Sequence, residues 1–183
     1  MHNLTISKVT FTDVNRLQHI SSQTFYETFA QSNTPENMAN YLQQAFSVEK
    51  LTSEINNPNT EFYFALSGTE VIGYLKLNFG KAQTELQNHK SVEIERIYVL
   101  QAYHGKQVGQ LLYDTAIQIA RQKNAAHVWL GVWENNPRAI RFYQKNGFVA
   151  FGKHIFQLGN DEQTDIMMKL DLQELPDKPK QPS

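Results

Sequence analysis

A short loop that contains two glycines and a lysine leads directly into a helical stretch in the middle of the chain. The strand-like segment Val92–Leu100 is followed by the loop Q-A-Y-H-G-K-Q-V-G at residues 101–109. Backbone N–H groups of such a loop and of the first helical turn have no intrahelical partner. Together with the helix dipole, they form a site suited to a pyrophosphate. Gly105 and Gly109 let a ligand approach the backbone closely, and Lys106 adds a positive charge. One such loop is a weak signal, so a plain strand-to-helix connection whose glycines only serve the turn is the alternative.

The glycine patterns of two common nucleotide-binding loops are absent from the sequence. The chain has no G-x-G-x-x-G, and no acidic residue ends a following strand where a dinucleotide-binding fold requires one. It also has no P-loop pattern. The sequence therefore gives little support to a Rossmann or P-loop protein.

Composition excludes several further kinds of chemistry. The 183 residues include no cysteine, which rules out a thiolate nucleophile, a disulfide scaffold, a Cys-ligated zinc and an iron–sulfur cluster. The six histidines show no metal-ligand spacing, so no metal site is predicted. Seventeen Lys and Arg balance eighteen Asp and Glu, for a net charge of −1. This balance argues against a protein that binds nucleic acid through a strongly basic face.

Apolar periodicity divides the chain into the elements of one α/β (α+β) domain with a mixed sheet, in the order β-αα-βββ-α-β-α-ββ. Thr12 and Asp13 offer an N-cap for the first helix, and Pro35 occupies the first position of the second. Gly147 is predicted to end the last helix as a C′ residue. The domain is expected to span residues 1–173. The predicted strands are 4–9, 62–66, 71–79, 92–100, 127–133, 148–158 and 165–172, and the predicted helical segments are 14–29, 35–46, 48–55, 111–120 and 136–146.

The two ends of the chain carry no strong structural signal. Residues 174–183 hold three of the six prolines and little apolar content, so a disordered tail is predicted. The first ten residues lack the basic and apolar regions of a signal peptide. The longest apolar run, Val128–Trp133, is far shorter than the ~18–20 residues that cross a bilayer. A cytoplasmic protein with no membrane contact is the default expectation.

A second block of residues downstream of the loop carries a family resemblance. The pattern Asn136-x-x-Ala139-x-x-Phe142-Tyr143-x-Lys145-x-Gly147-Phe148, placed after a strand, loop and helix, resembles the acetyl-CoA signature of the GNAT superfamily of N-acetyltransferases. The resemblance covers about Leu4 to Leu172 and implies a single GNAT-like domain with a mixed, mostly antiparallel central sheet flanked by helices. Within the superfamily, the sequence is most similar to the bacterial PaiA-type spermidine/spermine acetyltransferases, through residues 34–46, 94–98, 129–134 and 161–165.

The resemblance implies where acetyl-CoA would bind as a co-substrate, with no metal required. Exposed backbone groups of the strand at Ile97, Tyr98 and Val99 would pair with the pantetheine arm. Asn136 would hydrogen-bond the cofactor, and Tyr143 would lie beside the thioester sulfur. Ala139 and Lys145 belong to the same implied set. The pyrophosphate would be held by backbone N–H groups of His104, Gly105, Lys106, Gln107, Val108, Gly109 and Gln110.

The loop departs from the family pattern Gln/Arg-x-x-Gly-x-Gly/Ala at two positions. His104 takes the first position, where its side chain could still donate to a phosphate. Gln107 replaces the central glycine. If that position requires a positive φ, a residue other than glycine costs on the order of 1 kcal/mol. If it lies in ordinary helical space, nothing is lost.

Acetyl transfer from a thioester to an amine sets three chemical requirements. The amine must lose a proton because a model alkylamine has a pKa of ~10.4. The oxyanion needs a donor, and the departing thiolate benefits from a proton. With no cysteine and no evident Ser–His–Asp arrangement, direct attack by the amine is the simpler path.

Tyr143 is the predicted proton donor to the thiolate, and an aromatic packed in the core beside Phe142 is the alternative. Glu95 is predicted to take the proton of the amine through water, and an ion pair with Arg96 or Lys76 is its alternative role. Glu93 lies on the same strand face and is the substitute. By resemblance alone, the backbone N–H of Val99 is the oxyanion donor.

If the substrate is a polycation, its binding site should combine carboxylates with aromatic faces. Each candidate has a plainer role, in the core for the aromatics and in solvent for the acids. The polyamine prediction therefore depends mostly on the resemblance. The candidates are Phe25, Tyr26, Glu27 and Phe29 of the first helix, Glu93, Trp133, Glu134, and Asp161, Glu162 and Asp165 near the last turn.

Two other functions stay open at this stage. An enzyme of the same fold could act on another acceptor, such as an aminoglycoside, an amino acid or a protein N-terminus. Alternatively, a GNAT-fold module could bind acyl-CoA poorly or without turnover and act through protein contacts, which His104 and Gln107 motivate. A monomer and a homodimer are equally compatible with the sequence.

Overall fold

A seven-stranded sheet forms the centre of the computed structural model, which describes residues 4–173. Its strands lie in the order β1-β2-β3-β4-β5-β7-β6. The strands are β1 (Leu4–Lys8), β2 (Thr60–Ser67), β3 (Glu70–Phe79), β4 (Ser91–Val99), β5 (His127–Trp133), β6 (Val149–Leu158) and β7 (Asp161–Asp171), and the helices are α1 (Val14–Phe29), α2 (Pro35–Ala45), α3 (Val48–Asn56), α4 (Val108–Gln122) and α5 (Pro137–Lys145).

The mixed, mostly antiparallel sheet and its flanking helices confirm the predicted fold class. The segment 48–55 proves to be a full helix, so three helices, not two, separate β1 from β2. The tail predicted for residues 174–183 lies outside the described residues. No helix within residues 4–173 is long and apolar enough to cross a membrane.

Several helix ends follow from local sequence signals. Thr34 caps α2 by accepting a hydrogen bond from the N–H of Asn37 at 3.2 Å, and Pro35 takes the first helical position. Asn136 caps α5 in the same way, ahead of Pro137. At the other end of α5, Gly147 adopts a φ of 92°, as predicted for a C′ glycine.

Two predicted boundaries were wrong by three or four residues. Helix α4 begins at Val108, one turn before the amphipathic pattern that starts at Leu111. Strand β7 begins at Asp161 instead of Asp165, because β6 and β7 are joined by a tight turn in which Leu158 already pairs with Asp161. Gly159 takes the first central position of that turn with a φ of 63°.

The core is continuous across both faces of the central strands. Strand β3 is buried at nearly every position from Ile72 to Asn78. Helices α1 and α3 contact each other and the strands β2 to β4, and α4 packs against the same three strands. Because consecutive side chains of a strand point to opposite faces, continuous burial means that helices cover both sides of β3.

Strands β4 and β5 separate soon after they meet. They form the only parallel pair of the described sheet, and the pairing covers Ser91–Glu93 against His127–Trp129. Beyond that point β4 continues against β3 as far as Val99, whereas β5 continues against β7 as far as Trp133. The two strands therefore enclose a gap in the middle of the sheet.

A β-bulge interrupts β4 at the start of this gap. Lys76 of β3 pairs with Arg96, but the next residue, Leu77, pairs with Ile94. Glu95 is therefore the extra residue on β4. A bulge of this kind bends the strand and changes where the following backbone groups point.

The residue that directly precedes helix α4 has a strained backbone conformation. Gln107, the N-cap of α4, has a φ of 64° in the left-handed region. The position therefore does require a positive φ, which glycine adopts without cost and glutamine does not.

Substitution of Gln107 tests this strain. We expect the free energy of unfolding of Gln107→Gly to exceed that of Gln107→Val by about 1–2 kcal/mol, because a β-branched residue is the least tolerant of a positive φ. Urea unfolding monitored by circular dichroism measures the difference. Lys106, which is not among the residues with positive φ, is the matched control: there the valine variant should be at least as stable as the glycine variant. The same order at both positions would contradict the strain.

Candidate active site

Two adjoining cavities occupy the gap between β4 and β5. The first, which we call the cleft cavity, measures about 280 Å³ and lies between the two strands and α1. The second, the loop cavity, measures about 720 Å³ and extends to the loop at residues 101–110. The walls that the two cavities share are formed by Thr28, Ile97, Tyr98, Trp133, Asn136, Ala139 and Tyr143.

Unpaired backbone N–H groups line the end of the loop cavity. Within the described chain, the N–H groups of Gly105 and of Gln107 to Gln110 make no hydrogen bond. The N–H of His104 donates to Gln101 O at 3.1 Å and that of Lys106 to Tyr103 O at 3.4 Å. The row of free donors is therefore shorter than the predicted range from His104 to Gln110. Left-handed residues beside a helix N-terminus form a concave set of donors that fits a pyrophosphate.

The side chain of His104 is engaged within the protein. Its Nε2 lies 2.9 Å from the carbonyl oxygen of Val99 and therefore donates to it, and its Nδ1 accepts from Arg138 Nη1 at 2.6 Å. The expectation that this imidazole donates to a phosphate was therefore wrong for the arrangement seen here. His104 instead joins the end of β4 to the first turn of α5.

Arg138 is a residue of this cavity that sequence reasoning missed. It lines the loop cavity together with Lys145 and adds a permanent positive charge to it. Lys106, by contrast, lies over the ring of Tyr103, with Nζ 4.9 Å from the centroid, and is not among the lining residues. The contact between Arg138 and His104 spans 34 positions, so no local pattern indicates it.

The edge of β4 that faces the gap presents free backbone groups. The N–H of Leu100 donates to Ile72 O on the β3 side. Because the hydrogen-bonding direction alternates along a strand, Val99 and Ile97 present their backbone groups on the opposite side, toward the gap. The carbonyl of Val99 is bonded there by His104 Nε2, so the free groups are the N–H of Val99 and the backbone groups of Ile97. Both residues line the loop cavity.

Tyr143 lies where the two cavities meet. Its ring packs against Phe142 and Phe148, with centroids 5.3 Å and 5.6 Å away. Its hydroxyl makes no hydrogen bond within the described chain. Burial raises the pKa of the Tyr143 phenol, which therefore stays protonated at neutral pH. Tyr143 therefore packs in the core through its ring and still has a hydroxyl proton that it can donate.

Asn136 uses one half of its side-chain amide to cap α5. Its Oδ1 accepts from the N–H of Ala139 at 3.1 Å. The NH₂ group of the same amide is left to donate. Asn136 and Ala139 line both cavities, beside Tyr143.

Glu95, the bulge residue, is held by three positively polarised groups. Its carboxylate lies 2.6 Å from Lys76 Nζ, 2.6 Å from Asn78 Nδ2 and 3.4 Å from Arg96 Nη2. Burial alone would raise the pKa of Glu95, but Arg96 and Lys76 outweigh it and lower the pKa to about 2. The carboxylate is therefore ionised but weakly basic. Glu95 forms the ion pairs with both Lys76 and Arg96 that were its alternative role.

Glu93 lies on the same face of β4 and shares a partner with Glu95. Asn78 Nδ2 is 3.0 Å from Glu93 and 2.6 Å from Glu95, so it bridges the two carboxylates. Thr84 donates to Glu93 from its N–H at 2.8 Å and from its hydroxyl at 2.5 Å. Burial nevertheless raises the pKa of Glu93. Glu93 is therefore the more basic carboxylate of the pair.

Acidic and aromatic side chains line the cleft cavity. Its carboxylates outnumber its basic groups, Arg96 and His154, and His154 is itself paired with Glu85. Burial raises the pKa of Asp165 to about 6, against a smaller lowering by His154. This lining suits a cationic ligand. The acidic residues are Glu85, Glu93, Glu95 and Asp165, and the aromatic ones are Phe25, Phe29, Tyr41, Phe46, Tyr98, Trp129, Trp133, Tyr143 and Phe156.

Several predicted substrate residues lie elsewhere. Tyr26 is 56% exposed and points away from the cavities, because it lies one position from Phe25 on the helix. Glu27 lines the loop cavity, where it accepts from the N–H of Gln101 at 2.8 Å. Glu134 pairs with Lys153 at 3.7 Å and lines neither cavity.

Asp161 and Glu162 are exposed on the β6–β7 turn, outside both cavities. Phe29, Trp133 and Glu93 do line the cleft cavity. Among residues 4–173, no group of three His, Asp or Glu side chains is close enough to hold a metal ion.

Comparison with known proteins identifies the family. Residues 15–148 match the model of the acetyltransferase (GNAT) family. An uncharacterised N-acetyltransferase of Lactobacillus delbrueckii is 38% identical over 92% of this chain and 98% of its own length. A spermidine N(1)-acetyltransferase of Thermoplasma acidophilum is 26% identical over 80% of this chain and 88% of its own.

A solved structure has the same fold. The PaiA N-acetyltransferase of Thermoplasma acidophilum, crystallised in complex with coenzyme A, superimposes with a TM-score of 0.76 over 92% of this chain and 99% of its own, at 23% identity. The family match extends from α1 to the residue before β6. It includes the open edge of β4, the loop at residues 101–110 and Tyr143. The chain belongs to the GNAT family of acetyltransferases.

Proposed function

We propose that the protein transfers the acetyl group of acetyl-CoA to a primary amine of a polyamine such as spermidine or spermine. The observation that carries the proposal is the meeting of two cavities of different chemistry at Tyr143. One cavity offers free N–H donors and Arg138, which suits a pyrophosphate. The other offers carboxylates and aromatic faces, which suit a cationic amine.

The loop cavity fits acetyl-CoA in its chemistry. The free N–H groups of Gly105 and of Gln107 to Gln110 would hold the pyrophosphate, with Arg138 and Lys145 nearby. The backbone of Ile97 would pair with the amides of the pantetheine arm, and the NH₂ group of Asn136 would donate to it. The Thermoplasma neighbour, which was crystallised with coenzyme A, supports this use of the cavity.

Acetyl-CoA would supply a thioester that the amine attacks directly, so that a C–N bond forms and the C–S bond breaks. Tyr143 would donate its phenolic proton to the departing thiolate, since its raised pKa keeps the proton in place until then. The N–H of Val99, which faces the gap, would stabilise the oxyanion.

We assign the acceptance of the amine's proton to Glu95 and Glu93, acting through water. Both line the cleft cavity and are bridged by Asn78. The pKa of Glu95 is about 2, whereas burial raises that of Glu93. Because a stronger base takes a proton from an ammonium more readily, the chemistry favours Glu93 as the final acceptor.

Polyamine as the substrate class is supported by the acidic, aromatic cleft and by two relatives. The Thermoplasma relative is named for spermidine, and a Bacillus subtilis relative that is 28% identical over 85 residues is named for spermine and spermidine. Other primary amines are the alternative acceptors. A non-catalytic acyl-CoA-binding module is the other rival. The position of Tyr143, with its protonated hydroxyl where the two cavities meet, weighs against this rival, because binding acyl-CoA alone requires no proton donor there.

Removal of the Tyr143 hydroxyl tests the proposed acid. Tyr143→Phe is expected to lower kcat by roughly 10²–10⁴-fold, because the thiolate then leaves without a proton. The Kd of acetyl-CoA, measured by calorimetry, should change little. Tyr113→Phe is the matched control, since Tyr113 packs against the same Phe148 but lines neither cavity. An undiminished kcat in Tyr143→Phe would remove this residue from the mechanism.

A thiol-release assay tests the substrate class. The chain has no cysteine, so a thiol reagent reports only the coenzyme A that turnover releases. Spermidine and spermine are expected to give higher kcat/KM than butylamine or a peptide with a free N-terminus. Release with monoamines or peptides alone would retain the enzyme and exclude the polyamine. No release with any amine, while acetyl-CoA still stabilises the protein against heat, would favour the non-catalytic acyl-CoA-binding module.

A further inference from the structure

Asp165 occupies a distinctive place in the wall of the cleft cavity. It lies on β7, where its backbone pairs with Trp133 of β5 on one side and with His154 of β6 on the other. A Cβ built on Gly131 would lie 3.3 Å from Asp165 Oδ2, so the carboxylate lies over the position where β5 has no side chain.

Aromatic rings flank this carboxylate. Trp129 and Trp133 lie two positions before and after Gly131 and therefore share its face of β5. Both line the cleft cavity, as does Phe156 of β6. The ring of Phe29 lies 5.4 Å from that of Trp133, which fixes the indole in place.

Asp165 differs from the other carboxylates of the cavity because no hydrogen bond or ion pair within the described chain binds it. His154, its neighbour on β6, lowers its pKa by less than burial raises it. Glu85 pairs with His154, and Glu93 and Glu95 are bound by Thr84, Lys76 and Asn78. Among residues 4–173, no donor forms a hydrogen bond or an ion pair with Asp165. A partly buried carboxylate without a donor is unfavourable, which its raised pKa of about 6 reflects. A cationic group of a ligand would remove this penalty.

We propose that Asp165, together with the faces of Trp133 and Phe156, binds the ammonium group of the substrate that does not react. The inference rests on the proposed function and names the residue that selects for a second positive charge. Asp165 lines the cleft cavity but not the loop cavity, so it lies on the side of the junction away from the acetyl group. A diamine or polyamine would extend from Tyr143 into the cleft, with its methylenes along the aromatic wall and its distal ammonium at Asp165.

The role of Asp165 predicts selectivity for acceptors with two positive charges. A monoamine has no group to reach this carboxylate, whereas spermidine does. The contribution of a hydrogen bond to a charged group corresponds to roughly 10- to 100-fold in affinity. Loss of the negative charge should therefore affect spermidine and leave butylamine with a similar kcat/KM, which makes their ratio the informative quantity.

Asp165→Asn is the direct test, with Asp161→Asn as the matched control. Asp161 lies on the same strand and has the same charge but is exposed outside the cavity. We expect the ratio of kcat/KM for spermidine to that for butylamine to fall roughly 10- to 100-fold in Asp165→Asn, mainly through KM. Asp161→Asn should change the ratio by less than threefold. Calorimetric binding of spermidine to the coenzyme A-loaded protein should weaken by the same factor in Asp165→Asn alone.

A second variant changes the shape of the site beside Asp165 without removing its negative charge. Gly131→Ala keeps the carboxylate but places a methyl group about 3.3 Å from its Oδ2, so it should also weaken spermidine binding. Circular dichroism and thermal melts check that each variant folds. Equal losses for spermidine and butylamine in Asp165→Asn would overturn the inference and indicate proton transfer instead. Unchanged spermidine kinetics would overturn it while leaving the proposed function intact. If the wild-type protein neither binds nor acetylates spermidine, both the role of Asp165 and the proposed polyamine substrate are wrong.

Discussion

The separation of β4 from β5 beyond Glu93 is the constraint on which the rest of the site depends. A parallel pair that continued to the ends of both strands would fill the gap with backbone hydrogen bonds and leave no cavity. Each strand instead keeps one partner, β3 for β4 and β7 for β5. The outer edge of β4 and the inner face of β5 are thereby exposed to the same space. The free backbone groups of Ile97, the free N–H of Val99 and the side chains around Gly131 all result from this divergence.

A buried ionic cluster occupies the point where the strands part. Glu54 of α3 lies 3.1 Å from Lys76 Nζ and 3.3 Å from Arg96 Nη1, and both cations also contact Glu95. Its buried members are two acids and two bases, which limits the cost of desolvating them, although such clusters contribute less to stability than their contacts imply. The exposed Lys50 also contacts Glu54, at 3.8 Å. The clearest effect of the cluster here is on chemistry. It fixes the bulge and lowers the basicity of Glu95, so Glu93 keeps the stronger affinity for a proton in the same wall.

The parts of this structure that could be predicted from the sequence are those set by near neighbours. Pro35, the Asn136–Pro137 pair and Gly147 mark helix ends because their effects act within one helical turn. The free donors at the start of α4 follow from the helix itself. The family resemblance implied a place for Tyr143 beside the thioester, and Glu95 was expected on the strand that approaches it; both side chains line the cleft cavity. Each of these features depends on backbone preferences that operate locally or on a pattern shared across the family.

The features that sequence reasoning missed depend on distant contacts. Whether Glu95 is a free base or an ion-paired one depends on its register against Lys76 and Asn78, which are far away in the chain. Glu27 was expected at the substrate, but it accepts from the N–H of Gln101 across 74 positions. His104 and Arg138 meet across the cavity in the same way. The helical pattern of α1 predicted a buried face but could not distinguish the side that meets the cleft at Phe29 from the exposed side at Tyr26.

Gln107 shows how the loop combines local strain with long-range support. A residue without the freedom of glycine would gain on the order of 1 kcal/mol by leaving the left-handed region. Such a change would redirect the N–H groups of Val108 and Gly109, because a single φ sets the path of the backbone that follows. The loop is restrained at its other end, where His104 is bonded both to Val99 O and to Arg138. The contacts of His104 therefore restrain the loop three residues before Gln107. The two departures from the family pattern act together, and the replacement of a phosphate donor by a structural histidine preserves the set of backbone donors that the missing glycine would otherwise provide.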